Sequence, residues 1–317
     1  MAPIHTIIFG ATGGVASVVA RTAQEQGAKV FLALRSTQKP IPGLSPEQEK
    51  AGGYERVEAD LTKPETVQAA ASKAQATRAF IYLAHASTDH MKSSLLALKS
   101  AGVEFVVFLS SSEVRGEDLS TIPQSDYIAS SHAQVEINLA EIFGERGFVA
   151  VRPAYFASNA LRWAADARAG EIKVLYPDAT FDWITPGDIG RVAGTLVAGG
   201  RSALDAAGGK NSIFLFGPQI ISQRDAVAAI GRATGKEFKV VAITEEEAIQ
   251  GYKAIGVPEH LAKTLVDLFG KRERGEYEEP YEGFVFEEAA GNVEKYAGTQ
   301  PTRFEEWARE NKQAFLA

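Results

Sequence analysis

The chain is predicted to be an α/β protein built on a doubly wound parallel sheet, with a smaller α/β domain made by later segments. Three observations carry this. Short apolar runs rich in β-branched and aromatic residues alternate five times with helical segments before Ser112, the pattern of parallel strands joined by helical crossovers. The first run breaks into Gly10-Ala11-Thr12-Gly13-Gly14 and then into an alanine-rich helix. The predicted carboxyl ends of the five strands are Gly10, Arg35, Asp60, Ala84-His85 and Ser110-Ser111, and ligands of such sheets lie beyond those ends.

Ile4, Ile7, Ile8 and Phe9 make a strand apolar on both faces, as a parallel sheet requires. Residues 15–26 form the first helix and Lys29–Leu34 the second strand, which ends at Arg35-Ser36. Residues 40–53, punctuated by proline and glycine, read as a loop. Residues 54–58 alternate as a third strand and stop at Ala59-Asp60-Leu61; Thr62 stands where it could cap the helix opening at Pro64. Residues 78–84 and 104–109 are the fourth and fifth strands, with a helix over about 88–101 between them. A helix over 128–145, with Ile128, Val135, Leu139, Ile142 and Phe143 at helical spacing, leads to a sixth strand at 147–151.

Beyond this the alternation loosens. A helix (159–169) and a short strand (172–175) precede a helix to about Val197 that Thr185 or Asp188 could cap. Residues 212–217 read as a buried strand rejoining the sheet, and helices follow at 223–234, 244–255, 259–275 and 303–315. The basic run Lys271-Arg272-Glu273-Arg274 is a solvated last turn favoured by the helix dipole, and residues 276–283 are an acidic, aromatic loop.

A strand, a glycine turn and a helix in that order form a phosphate cradle, because backbone amides approach a pyrophosphate and the helix start adds its unpaired N–H groups. Gly10, Thr12, Gly13, Gly14 and Val15 are its expected contacts. Where NAD-selective cradles carry an acidic residue, this chain has Arg35, with Lys39 four residues on and no carboxylate until Glu47. A cation there suits a 2′-phosphate, so NADP(H) is expected ahead of NAD(H). Asp60 could accept from the adenine amino group or simply end its strand.

Composition narrows the remaining classes. The 317 residues are 45% hydrophobic and 23% charged, enough for a large core. A net charge of −7 argues against nucleic acid as a partner. No cysteine is present, which excludes disulfides, a thiolate nucleophile and Cys-ligated metal. His5, His85, His90 and His260 lack metal-ligand spacing, so no metal is expected. The first apolar run is too short for a signal segment, and none nears the roughly 20 residues of a membrane helix. A cytoplasmic protein without membrane association is expected.

The cradle Gly10–Val15, Leu34-Arg35, Ala59-Asp60-Leu61, Ser110-Ser111-Ser112, His132-Ala133-Gln134-Val135-Glu136, Val151-Arg152-Pro153-Ala154-Tyr155-Phe156 with Asn159, Trp183-Ile184, Asp188-Ile189-Gly190-Arg191 and Phe304-Glu305-Glu306-Trp307-Ala308-Arg309 occur in this order. In them the chain resembles the NmrA-like family, atypical short-chain dehydrogenases/reductases, over nearly its whole length. The resemblance implies a Rossmann-type NAD(P)-binding domain at 1–155, with 180–217 returning to it, and a smaller substrate-binding domain at 156–179 and 218–317. It adds Leu61, Ala84, His85, Ser110, Pro153, Tyr155 and Phe156 to the expected cofactor contacts. It also implies one of two activities: reduction of quinones, phenylpropanoids or fungal natural products, or redox sensing through a protein partner without turnover.

Short-chain dehydrogenases pair a serine with Tyr-x-x-x-Lys. Here the nearest match is Tyr127-Ile128-Ala129-Ser130-Ser131, without the lysine. The expected catalytic set is therefore His132, as proton donor or orienter, with Tyr127 and Ser111. Glu136 could orient His132 or face solvent. Phe156, Asn159, Trp163 and Trp183 are expected to wall an apolar or aromatic substrate pocket. The leading expectation is an NADPH-dependent reductase of a small carbonyl, imine, enone or quinone. An NADP(H)-sensing regulator and an NADP(H)-bound isomerase or lyase are the alternatives.

Overall fold

The structure is a computed structural model that describes residues 3–276 and 283–316. The expected loop at 276–283 lies almost wholly outside the described residues. In chain order the first elements are β1 (His5–Phe9), α1 (Gly14–Glu25), β2 (Lys29–Leu34), α2 (Pro46–Ala51), β3 (Glu55–Glu58) and α3 (Pro64–Ala74). Next come β4 (Arg78–Tyr82), α4 (Lys92–Ser100), β5 (Phe105–Leu109), α5 (Tyr127–Phe143), β6 (Phe148–Pro153), α6 (Ala164–Ala169), β7 (Glu171–Leu175) and β8 (Thr180–Phe181). The chain continues through α7 (Pro186–Ala206), β9 (Ser212–Leu215), β10 (Ile221–Ser222), α8 (Gln223–Thr234), β11 (Lys239–Ile243) and α9 (Glu245–Ala254). It closes with α10 (Glu259–Glu273), α11 (Gly283–Ala297), α12 (Phe304–Glu310) and α13 (Gln313–Leu316).

Two compact units result. Unit 1 comprises Met1–Pro153, Pro186–Leu215 and Asn292–Gln300; unit 2 comprises Ala154–Thr185, Phe216–Gly291 and Pro301–Ala317. The sequence boundaries stood at 155, 180 and 217, with no return at 292–300.

Unit 1 holds a seven-stranded sheet in the order β3-β2-β1-β4-β5-β6-β9, parallel throughout. This is the doubly wound sheet that the strand-helix alternation predicts. Its strand order reverses between β1 and β4, which opens a crevice at their carboxyl ends. In the centre, Ile7 stands between Phe31 and Ala79, all fully or almost fully buried. Helices cover both faces, so the strands are apolar on both sides. On one face α1 packs on α7 at unusually close range. A Cβ on Gly190 would lie 2.4 Å from Val18 Cβ, and one on Gly194 2.5 Å from Thr22 Cβ.

Several local expectations differ from the structure. The loop at 40–53 contains α2, which Ser45 caps: its hydroxyl accepts from the Gln48 amide, Gln48 reaches back to the Ser45 amide, and Pro46 opens the helix. Six residues are too few for a periodic signal. Thr62 does not cap α3, whose N-cap position is Lys63; the Thr62 hydroxyl donates to Asp60 Oδ1 at 2.8 Å. Helix α4 starts only at Lys92, after a turn with His90 and Met91 at φ 49° and 64°. The helix expected at 159–169 is a 3₁₀ segment (Ala157–Trp163) running into α6, and the final helix is split into α12 and α13.

Unit 2 contains the parallel pair β7–β11 and the antiparallel pair β8–β10. Strand β11 has no counterpart in the sequence reading, because its Lys239-Val240-Val241-Ala242-Ile243 pattern is only partly buried. The core is aromatic, built on Trp163, Phe181, Trp183, Phe269, Phe304, Trp307 and Phe315. Trp183 corrects an expectation. It is fully buried, at φ 53°, with its indole N–H donating to the Ile221 carbonyl at 3.1 Å, so it belongs to this core and not to a pocket wall.

The α1–α7 contact gives a test. Gly190→Ala, which forces the Val18 side chain and the Val15 carbonyl apart from α7, should cost about 1–3 kcal/mol by urea denaturation. An unchanged midpoint would show that the two helices are free to separate.

Candidate dinucleotide site

The crevice at the switch point encloses about 390 Å³ and is lined entirely by unit 1. One wall is the glycine turn. Gly10 sits at φ 74°, and the Gly13 amide donates to its carbonyl at 2.8 Å, closing the turn. A Cβ on Gly10 would approach a Tyr82 ring carbon to 2.5 Å, so backbone conformation and space both demand glycine there. Gly13 is the N-cap of α1, with no side chain capping the helix and no acidic residue in its first turn. The first intrahelical amide is that of Ser17, which leaves those of Gly14, Val15 and Ala16 available to an anion.

The opposite wall follows β2. Arg35, Ser36 and Lys39 line the crevice, and the exposed Arg35 guanidinium pairs with no carboxylate among the described residues. The loop that carries them is pinned from below by Arg56. Its guanidinium donates to the Thr37 and Lys39 carbonyls at 2.5 and 2.8 Å and pairs with Glu49 at 2.5 Å. The sequence reading assigned no role to Arg56; its only signal is a cation in a short exposed strand. Tyr82, also missed, lines the crevice beneath Gly10. These residues fit a dinucleotide phosphate on the glycine turn and a second phosphate at Arg35.

The remaining expected contacts divide. Gly10, Thr12, Gly13, Gly14, Val15, Arg35 and Leu61 line the crevice together. Asp60 does not: its carboxylate accepts from the Thr62 amide and hydroxyl at 2.9 and 2.8 Å, bonds that hold it below the usual carboxylate range. Ala84 and His85 lie beyond the end of β4, outside the crevice lining. The Ser110 hydroxyl points into the protein and donates to Glu136 Oε1 at 2.5 Å. Glu136 takes neither expected role, since Arg152 grips both its oxygens at 3.0 and 2.6 Å in a buried pair. Pro153 ends β6 in unit 1. Tyr155 and Phe156 fall in unit 2, where Tyr155 stacks on Phe181 with ring centroids 4.0 Å apart and Phe156 bridges to Ile184.

Unit 1 also holds His132, Tyr127 and Ser111, the residues expected in catalysis. The His85 and Tyr127 rings are nearly parallel, with centroids 6.4 Å apart, and the His132 ring lies 6.1 Å from Phe108. His132 Nδ1–H donates to the Ile128 carbonyl at 2.8 Å, one turn back on α5. Burial pushes its pKa down to about 4, against that hydrogen bond, with His85 adding to the depression. The imidazole is therefore neutral at physiological pH, with Nε2 able to accept a proton. Ser111 Oγ accepts from the Glu113 amide at 3.2 Å in a local turn. Among the described residues no cluster of three metal-ligating side chains occurs, and no helix is long and apolar enough to cross a membrane.

Of the expected substrate residues, Trp163 lines a separate cavity of about 520 Å³ within unit 2, together with Arg162, Tyr252 and Phe269. Asn159 lies in the 3₁₀ segment, its amide bonded to the Phe156 carbonyl.

Fold and crevice define a Rossmann-type protein with the glycine turn of NAD(P)-binding domains. The chain belongs to the NmrA-like family, whose model matches residues 5–308. It is 37% identical to the nitrogen metabolite regulation-like protein bik4 of Gibberella fujikuroi, over 96% of this chain and 95% of that protein. It is 27% identical to an NAD(P)H azoreductase of Xenophilus azovorans, over 83% and 85% of the two chains. The NADPH-dependent quinone oxidoreductase QOR2 of Escherichia coli, solved with NADPH, matches with a TM-score of 0.68 at 19% identity, over 96% of this chain and 99% of that one.

His132 makes stability depend on pH. Its folded pKa lies below that of a free imidazole, so between the two the unfolded chain binds more protons. This contribution to stability is complete above about pH 6.5 and is lost as the pH falls toward about 4. His132→Gln should flatten the fall in urea midpoint between pH 7 and 4.5. If the variant shows the same slope as the parent, the imidazole does not titrate in this way.

Proposed function

We propose that unit 1 binds NADP(H) in the crevice and that the chain is an NADPH-dependent reductase of conjugated, electron-poor acceptors such as quinones, enones or azo compounds. The observation that carries the reading is the crevice itself, where a glycine turn and free α1 amides face Arg35 and Lys39 across one cavity. Bound there, the reduced dinucleotide supplies a hydride, and the protein supplies binding and orientation.

The acceptor class follows from what the side chains offer. Reduction of a simple ketone needs an acid beside the oxygen that gains charge. His132 is neutral, with its Nδ1 proton engaged by Ile128, and so is poorly suited to give one. Tyr127 has no lysine four residues on, where Ser131 stands. A conjugated acceptor spreads the charge delivered with the hydride and takes its proton from water. The named activity of the azoreductase relative belongs to this class.

A second reading, NADP(H)-dependent regulation without turnover, is favoured by the name of the 37% identical relative and by the same missing lysine. NADPH oxidation against a panel of quinones, enones and azo dyes separates the two. Turnover of at least one class is expected. Tight NADPH binding with no turnover across the panel, and a partner protein that distinguishes NADP⁺-loaded from NADPH-loaded chain, would establish regulation instead.

Cofactor choice is tested at Arg35. Loss of a charged hydrogen bond to a phosphate costs about 1.5–3 kcal/mol, and Arg35→Asp adds repulsion. NADPH affinity should drop about tenfold or more while NADH affinity holds or rises. Unchanged NADPH affinity would remove Arg35 from 2′-phosphate recognition.

A further inference from the structure

The cavity in unit 2 is lined by residues of that unit alone, and its volume of about 520 Å³ suits a small organic ligand. Trp163, Leu175, Ile243, Tyr252, Ile255 and Phe269 give it apolar walls. The exposed Arg162 lines the cavity with them. Its guanidinium carbon lies 5.3 Å from the Trp163 ring centre, 5.5 Å from that of Phe269 and 6.0 Å from that of Tyr155. Such contacts steady a cation without neutralising it.

A guanidinium stays charged at any physiological pH and presents a planar fork that matches a carboxylate. Arg162 has no carboxylate partner among the described residues. Its guanidinium donates from an Nη to Gln223 Oε1 at 2.7 Å and lies beside the Tyr155 hydroxyl. Gln223 is fully buried, and its amide orientation is fixed because its Nε2 donates to the carbonyls of Leu175 and Tyr176 at 2.6 and 3.0 Å. The glutamine oxygen therefore holds one edge of the guanidinium, and no carboxylate among the described residues takes its other donors. The ionisable neighbours of Arg162 are phenols, Tyr155 and Tyr252; burial pushes Tyr155 up to about 12, so it remains neutral. Its hydroxyl is buried beside the side chains of Arg162 and Asn159. Of the charged groups that also line the cavity, Asp166 accepts from the Lys173 amide at 3.1 Å and Glu247 from the Thr244 amide at 2.8 Å, and Lys173 adds a second cation. Glu246 is exposed.

We infer that this cavity is a binding site for a small aromatic carboxylate, whose ring lies between the apolar walls and whose carboxylate is forked by Arg162. Gln223 is the positioning residue that aims the fork. The site is independent of the dinucleotide crevice, and the proposal stands whether or not the chain is a reductase.

The probes are 2-naphthoate and its neutral isostere 2-naphthamide, titrated calorimetrically into the full-length chain without nucleotide. Naphthoate should bind at least tenfold more tightly than the amide, with little change between pH 6 and 9. Arg162→Gln should abolish that preference while leaving naphthamide binding and the thermal midpoint near those of the parent, and Arg162→Lys should restore part of it. Gln223→Leu should weaken naphthoate more than naphthamide. Equal binding of the two probes, binding of neither, or naphthoate affinity unaffected by Arg162→Gln would overturn the assignment. NADPH titrated into the same samples reads the crevice separately, so failure at one site is distinguished from failure at the other.

Discussion

The carboxyl ends of β5 and β6 are held in place by one buried ion pair. Arg152 on β6 engages both oxygens of Glu136 on α5, and Ser110 at the end of β5 adds its hydroxyl to the same carboxylate. Three successive elements, β5, α5 and β6, are thereby locked at the edge where a doubly wound sheet receives its ligand. Two charges withdrawn from water are tolerated only because every contact is a charged hydrogen bond of good length. Leaving either partner alone would strand a charge at a cost of several kcal/mol, whereas a surface pair is worth about 1 kcal/mol or less. A polar cluster that is structural thus occupies a place where sequence reasoning looks for chemistry, and it explains why Ser110 and Glu136 are turned away from the crevice.

The parallel sheet was legible because both-face burial writes itself as continuous apolar runs: β2 and α8 have the very limits that the sequence gives them. The glycine turn was legible for a related reason, since Gly10 and Gly13 shape it through backbone conformation, which residue type reveals directly. Less was visible where a role depends on which neighbour a side chain meets. Trp183 and Trp163 are both buried in the aromatic core, yet Trp163 also borders a cavity and Trp183 does not. Arg56 supports the crevice through carbonyls of residues nearly twenty positions away, a relation with no local pattern. Short elements such as α2 and β11 escaped because they are too brief, or too exposed, for periodicity to accumulate.

His132 illustrates how environment decides among roles that a residue type leaves open. It lies on α5, within the helix that the sequence predicts, with its ring 6.1 Å from that of Phe108. Packing then removes its charge, and the hydrogen bond to Ile128 fixes which nitrogen keeps the proton. What remains is an acceptor where a donor was sought, and this turns attention from ordinary ketones to acceptors that manage their own charge.

The close packing of α1 on α7 has a consequence for the order of assembly. Helix α1 begins at residue 14, but the glycines that let its partner approach are Gly190 and Gly194, and the strand that covers the edge of β6 is Ser212–Leu215. A chain emerging from the ribosome has made six strands and the glycine turn by Pro153, yet lacks both the buttress of α1 and the seventh strand until some sixty more residues have followed. Until then an apolar helix face and an open strand edge are exposed together, the condition under which nascent chains associate wrongly. The first 153 residues alone are thus an incomplete nucleotide domain, and the intervening segment at 154–185 must be synthesised before the cradle gains its support.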